Sequence, residues 1–516
     1  MPYKNSELST ILGDLDLGSS VAEEDEILKV AMVETSAFTD LLNDRVDLVP
    51  GTKGSGKSAL FRFFVGFLPE KLLKERKVVV AHGVDHPGDP VFLAFKEEFE
   101  KLTEQDFISF WCVYLISLAH EQFIKGERYV KALEEAHSEI DAFKLACEKA
   151  RIPEIQARKT LREILGWTLQ AVKSWRPKIT YKLPQEGGEV GIDLFGDKQK
   201  TGDGKESQRA DDSLPEYVTR IKDALEKVLV KAHLSLWLMI DRLDEIFPRR
   251  SEVEKRALRG LLRAMQLFSS KAIRVKVFFR DDMLDQVVRD VEGFTALTHV
   301  TARQADTLRW TEEQILSMVV KRIIANEKVV EFLSIDKDRV AASSEYRSQV
   351  FYMVFPPTVH RGPKQSTTLR WLYTRCSDGR GVVTPRDVID LLTRAKQQQY
   401  QGCVANVEGS SEWIMGPQAL QYGLEALSKK KRQTYLEAEF PHLWRSIEKF
   451  VGGKTEYDER AMKNLLGERW KELAEDLVSI GVLSKKPSTN GTIYSIPFVY
   501  RIGLNLTQGK AEIGVE

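Results

Sequence analysis

Apolar positions along this chain change their period several times, and each change marks an element. From Ile27 to Leu42 they recur at helical spacing; RVDLV (Arg45 to Val49) then reads as a short strand. KVVVAHGVDH, beginning at Lys77, is β-branched and predicts a second strand. Helical spacing dominates from Val91 to Trp175 and includes the aromatic cluster FISFWCVYLISL. Two alternating segments across a Gly-Gly turn, Arg176 to Gly196, predict a hairpin, and the polar stretch from Lys198 to Ser213 predicts a loop. LSLWLMI (Leu234 to Ile240) is a continuous apolar run of strand length, suited to a central parallel strand, and IRVKVFFR (Ile273 to Arg280) is another. Beyond Thr307 the pattern is helical to about Tyr400. A break from Gly402 to Ser411 then precedes a last module of helices and a terminal hairpin.

Strands alternating with helices predict an α/β fold whose parallel sheet is covered on both faces. The pattern divides the chain into an acidic, turn-rich and loosely held arm (1–27) and an α/β domain (28–305) with an insertion at about 125–215. A helical region (306–400) and a C-terminal module (412–516) follow. A length of 516 residues fits such a division. Lysine plus arginine equals aspartate plus glutamate at 76 each, so any nucleic-acid or membrane surface must be a local patch. The four cysteines form no CxxC, so neither a zinc site nor a disulfide framework is indicated, and reduced, buried thiols are expected. The polar start MPYKNSELST lacks the apolar core of a signal peptide, and the uninterrupted apolar runs are short of a membrane span. A cytoplasmic location without membrane attachment is the expectation.

Gly51-Thr52-Lys53-Gly54-Ser55-Gly56-Lys57-Ser58 matches G-x(4)-G-K-[ST] at every fixed position, and Ala59 opens the apolar helix ALFRFFVGFL behind it. Glycines let successive backbone N–H groups turn inward around a phosphate. The lysine reaches the β- and γ-phosphates, and the Ser58 hydroxyl is placed for magnesium. The apolar helix must pack beneath the sheet so that the loop stands rigidly above it. A nucleotide site also needs a carboxylate for magnesium at the end of a neighbouring strand. The Leu234–Ile240 run ends in Asp241, with Asp244 and Glu245 close behind. Asp241 suits the metal, and Asp244 or Glu245 suits the attacking water. The same acids also suit caps for the next helix.

IDRLDEI resembles the hhhhD-x-h-D-E signature of STAND-type P-loop ATPases, relatives of AAA+ proteins, and further stretches resemble the origin-recognition branch of AAA+. IRVKVFFRDDM looks like a sensor-1 strand carrying Arg280. GRGVVTPRDVIDLLTRA looks like a helical lid with Arg386 as a sensor-2-like arginine. ERWKELAEDLVSIGVLSKKPSTNGTIYSIPFVYRIGL is similar to the second half of a winged helix. The resemblance implies a P-loop NTPase sheet with helical lid and winged-helix-like C-terminal domain, ATP and Mg2+ as ligands, and oligomers in which a neighbour's arginine completes the site. Adenine is preferred to guanine because nothing resembles an NKxD motif. The chain departs from typical STAND receptors in lacking an obvious N-terminal effector domain and C-terminal sensor repeats. That favours an ATPase subunit acting on a separate partner.

Other readings of single residues stay open. Arg280 also suits a surface pair with Asp281 or Asp282, and TPRD around Arg386 also suits a helix cap with proline at its first turn. Arg249, Arg250, Arg289 and Arg303 are equivalent candidates for a trans-acting arginine. The run Lys429 to Arg432 and the pair Lys485-Lys486 suit either a solvated face or DNA phosphates. Two functional classes follow: an ATP-hydrolysing switch or motor controlling assembly with a protein effector, as in bacterial anti-phage defence, and a DNA-engaging ATPase of initiator or transposition-helper type. The neutral net charge favours the first.

Overall fold

The computed structural model describes residues 2–83, 97–124, 126–150, 214–243, 251–288, 301–489 and 491–511. The expected hairpin (Arg176 to Gly196), the loop from Lys198 to Ser213, and Asp244, Glu245, Arg249, Arg250 and Arg289 lie outside these residues.

Ten strands are described: β1 (Tyr3–Lys4), β2 (Leu48–Gly51), β3 (Val78–Gly83), β4 (Ser235–Ile240), β5 (Ile273–Arg280), β6 (Ser410–Ser411), β7 (Lys454–Asp458), β8 (Ser484–Ser488), β9 (Gly491–Ser495) and β10 (Thr507–Lys510). The central sheet has the order β2-β5-β4-β3, and every pairing in it is parallel. β5 has the predicted bounds, whereas β2 begins three residues later than the hydrophobic pattern suggested, because Arg45–Asp47 form the turn entering it. Residues 303–308 run beside the outer edge of β2, with bridges Leu48–Gln304 and Gly51–Leu308. The Leu308 and Ala305 amides donate to Pro50 and Leu48 carbonyls. β2 therefore has a neighbour on each side.

The strands are mainly apolar because alternate residues enter two different cores, with the buried Lys276 of β5 as a paired exception. Leu236, Leu238, Val275, Val277 and Phe279 pack with the Glu104–Leu118, Leu214–Lys231 and Glu252–Phe268 helices. Val78, Val80, Trp237, Met239 and Phe278 face the other way, against Leu60, Phe61 and Phe64 of the segment after the phosphate loop. That segment is an α-helix at Lys57–Arg62 that widens to a π-helix at Phe63–Phe67. It lies on the sheet as its apolar sequence requires. Glu104–Ile124 reaches 21 residues, longer than the uninterrupted apolar runs suggested, and 83% of its apolar window is buried inside the protein. All four cysteines are buried and free, and burial pushes the Cys112 thiol up to about 12.

The first 27 residues are not a loose arm. The Asn5–Asp14 helix buries Leu8 and Leu12 in the same core as the Pro385–Ala405 helix, and β1 pairs with β6. Arg322 Nη2 holds the buried Asp25 at 2.6 Å, and its Nη1 donates to Leu17 O. The helical spacing from Ile27 to Leu42 resolves into two short helices, Leu28–Ala31 and Ser36–Leu42. Helices from Glu312 to Ala405 follow the sheet as expected. The C-terminal module adds a second sheet, β10-β7-β9-β8, in which the expected hairpin β8–β9 is joined by β7 and β10.

Candidate functional site

In a parallel sheet all strands end at one edge, and here Gly51, Gly83, Ile240 and Arg280 mark it. Gly54 and Gly56 have φ of 82° and 99°, the left-handed region that glycine enters without steric cost, so the loop folds over the end of β2. A side chain on Gly51 would come within 2.5 Å of Ser55 Oγ, which shows how tightly the loop closes. Lys57 Nζ donates to the carbonyls of Gly51 (2.8 Å) and Thr52 (2.9 Å), so its charge is held inside the loop. The buried hydroxyls of Thr52 and Ser55 have no hydrogen-bond partner among the described residues. Buried polar atoms are normally satisfied, and these two lie in a cradle whose chemistry suits an anion.

Asp241 follows β4 and is buried. β5 separates β4 from β2, so their ends stand roughly 10 Å apart, twice the interstrand spacing. Ser58, in the first turn of the Lys57–Arg62 helix, and Asp241, at the strand end, are oxygen donors of the type magnesium takes. Arg242, in the left-handed region at φ 62°, turns away and pairs with Glu23 of the N-terminal segment.

Arg280 ends β5 and is 7% exposed. Its Nε and Nη2 each donate to Asp282 at 2.9 Å, the pairing the sequence left open. Its Nη1 also lies 3.6 Å from Glu439 Oε2. Arg386 sits in the first turn of the Pro385–Ala405 helix, where Thr384 accepts from the Asp387 amide and Pro385 occupies the first position, so the cap reading holds. The same turn abuts the phosphate loop: a Cβ on Gly54 would lie 3.1 Å from Arg386 Cβ. The Arg386 Nε donates to Ser20 O at 3.4 Å. Beside these, burial works against the Arg380 charge, but Asp378 and Asp281 outweigh it and hold the guanidinium above its ordinary pKa.

Arg303 is drawn elsewhere. It pairs with Asp47 (2.6 Å) and Asp44 at the start of β2, with the fully buried Lys276 on the same carboxylates. The basic run is likewise paired, Lys429 with Glu425, Lys430 with Asp390, Lys431 with Asp387 and Arg432 with Glu437. Lys485 pairs with Glu475.

Several site residues escaped the sequence reading. Trp310 Nε1 donates to Ser55 O at 2.7 Å and walls a small, largely apolar cleft beside Gly56, with Met32, Val33, Leu308 and Met318. The pattern beyond Thr307 reads as helical, so no sequence signal marked Trp310. Glu439, in LEAEFPHLW, gave none.

The fold is an α/β fold of the P-loop type: a parallel sheet with a glycine-rich loop at its carboxyl edge and helices on both faces. No protein-family model matches the chain, and no curated protein matches it. Among solved structures it is similar to a Walker-type ATPase of Pyrococcus abyssi, at 13% identity and a TM-score of 0.39, over 96% of this chain and all of that one. It is also similar to the ORC2 protein of Aeropyrum pernix in its ADPNP and ADP complexes, at 14% identity and a TM-score of 0.38, over 92% of this chain and 96% of that one.

Proposed function

We propose that the chain binds ATP with magnesium and hydrolyses it, acting as a switch whose nucleotide state governs assembly with a protein partner. One juxtaposition supports this most directly: the phosphate loop, with two unpartnered hydroxyls and an inward lysine, faces Asp241 across β5 and opens onto an apolar cleft. The cleft's apolar lining of Met32, Val33, Leu308 and Met318 is of the kind that packs against a purine ring. Lys57 moves from its loop carbonyls onto the β- and γ-phosphates, and the loop amides hold the same oxygens. Ser58 and Asp241 would hold magnesium, which would supply charge neutralisation at the terminal phosphate. Asp244 or Glu245 orients the attacking water, with Arg280 and Arg386 beside the leaving charge. An arginine from a second copy completes the site, so activity rises with protein concentration.

Calorimetry with ATP, GTP and ADP, with and without Mg2+, tests the reading on the wild type and Lys57→Ala. Magnesium-dependent ATP binding that disappears in the variant is expected, and equal binding by both proteins overturns it. Glu245→Gln or Asp244→Asn should keep binding and block turnover.

The paired cations of Lys429–Arg432 and Lys485 favour a protein partner over DNA, because phosphate contacts depend on uncompensated cations. A partner of the kind used in bacterial anti-phage defence fits this reading. The initiator-like alternative gains if the full chain binds duplex DNA with steep salt dependence.

A further inference from the structure

Glu439 belongs to the C-terminal module, in the last helical turn after the Arg432–Glu437 π-helix and just before the Pro441–Glu448 helix. Its carboxylate nevertheless lies against the phosphate loop. Oε1 pairs with Lys53 Nζ of that loop, and Oε2 lies 3.6 Å from Arg280 Nη1 at the end of β5. Glu439 and Arg280 are each 7% exposed. Desolvating a carboxylate is costly unless cations stay close, so the three side chains hold one another in place.

The contact joins two bodies. The Pro417–Lys431 helix is pinned to the Pro385–Ala405 helix by Lys430–Asp390 (2.7 Å) and Lys431–Asp387 (2.8 Å). The Pro417–Lys431 helix is thereby fixed to the lid, and Glu439 ties the segment that follows it to the sheet. Arg280 ends the strand between the phosphate-loop strand and the Asp241 strand. A terminal phosphate sharing a metal with Asp241 would stand in front of it.

We propose that Glu439 is a built-in competitor for the γ-phosphate, a clasp that keeps the C-terminal module on the sheet until a nucleoside triphosphate displaces it. This rests on the phosphate-site reading above. A terminal phosphate brings more charge and more acceptor oxygens to Lys53 and Arg280 than a carboxylate does, and charge-assisted bonds strengthen accordingly. A diphosphate lacks the group that reaches Arg280, so it leaves the clasp shut. The segment freed at Glu439 then presents a different surface to a partner while the Arg386 turn stays on the phosphate loop, which couples nucleotide state to assembly.

The test uses the full chain as wild type, Glu439→Gln and Lys57→Ala, with circular dichroism on each. ATP and ADP affinities are measured by calorimetry, and hydrogen exchange is followed across residues 432–440. If the unclasped form is about one molecule in ten, removing the competitor tightens ATP binding about tenfold and leaves ADP unchanged. ATP, and not ADP, should also speed exchange at 432–440 in the wild type. Glu439→Asp, which withdraws the carboxylate by one methylene, should give an intermediate gain and replaces the glutamine variant if that one misfolds. Equal or weaker ATP binding by a folded Glu439 variant, with Lys57→Ala still defective, overturns the clasp and leaves the phosphate site standing. A wild type that binds no better than Lys57→Ala overturns both.

Discussion

The two four-stranded sheets of this chain, β2-β5-β4-β3 and β10-β7-β9-β8, are built on opposite plans. The first is wholly parallel and buried on both faces, so its strands are mainly apolar and their carboxyl ends collect at one edge. The second is mixed; β7 and β8 both pair antiparallel with β9, and β8 exposes nearly all its length. In the first sheet a charge inside must be paired, as Lys276 is with Asp44 and Asp47, and at the carboxyl edge Lys57, Asp241 and Arg280 are gathered on a rigid support. In the second, charges spread along exposed strands and meet neighbouring acids, as Lys485 meets Glu475 at 2.7 Å. Parallel pairing concentrates charge; mixed pairing disperses it.

The contrast can be broken most strongly in the central core. Leu238 is fully buried in β4, and Leu238→Ala should cost about 3 kcal/mol of stability by urea unfolding, from lost burial plus a residual cavity. A cost below about 1 kcal/mol would show that the sheet is looser than its packing implies. Next comes Lys57→Ala, which removes the loop's charge-assisted donor and should weaken ATP binding about a hundredfold while the unfolding midpoint stays near that of the wild type. Asp241→Asn should weaken magnesium-dependent ATP binding about tenfold and leave metal-free binding unchanged, as titration in EDTA would show. The smallest effect belongs to the second sheet. Replacing Lys485 and Lys486 by alanine should shift stability by less than about 0.5 kcal/mol each. It should also leave retardation of duplex DNA on a gel unaltered. A large loss of DNA retention would move the functional weight to the C-terminal module.

The apolar runs of β4 and β5 were legible because a strand buried on both faces must be continuous in hydrophobicity. The phosphate loop was legible because three glycines and a lysine at fixed spacing have few other uses. The N-terminal arm misled for a physical reason: its acids are there to meet partners far along the chain, Asp25 with Arg322 and Glu23 with Arg242, and local composition is blind to them. Glu439 stayed hidden for the same reason, since its partners Lys53 and Arg280 lie hundreds of positions earlier. The splitting of Ile27–Leu42 followed from Met32 and Val33, which serve the cleft beside Gly56 instead of a helix face. The four-stranded C-terminal sheet was half seen, because β7 and β10 are short and polar and only the β8–β9 turn announces itself.

The pairing of β1 with β6 has a consequence for how the chain is made. Asn5 donates its side-chain amide to Asn406 O across 401 residues, and Tyr3 is in register with Ser411. A ribosome adding about 5–20 residues per second delivers those partners roughly 20–80 s after the first helix leaves it. Until the helices from Glu312 onward are made, Leu8, Leu12 and Leu15, all fully buried at the end, lack most of their own core to lie against. The sheet and its phosphate loop can be complete by then, because their last strand ends at Arg280. Birth order therefore runs opposite to reading order: the first residues synthesised are among the last to be fastened, and a nascent-chain chaperone would find its apolar target there.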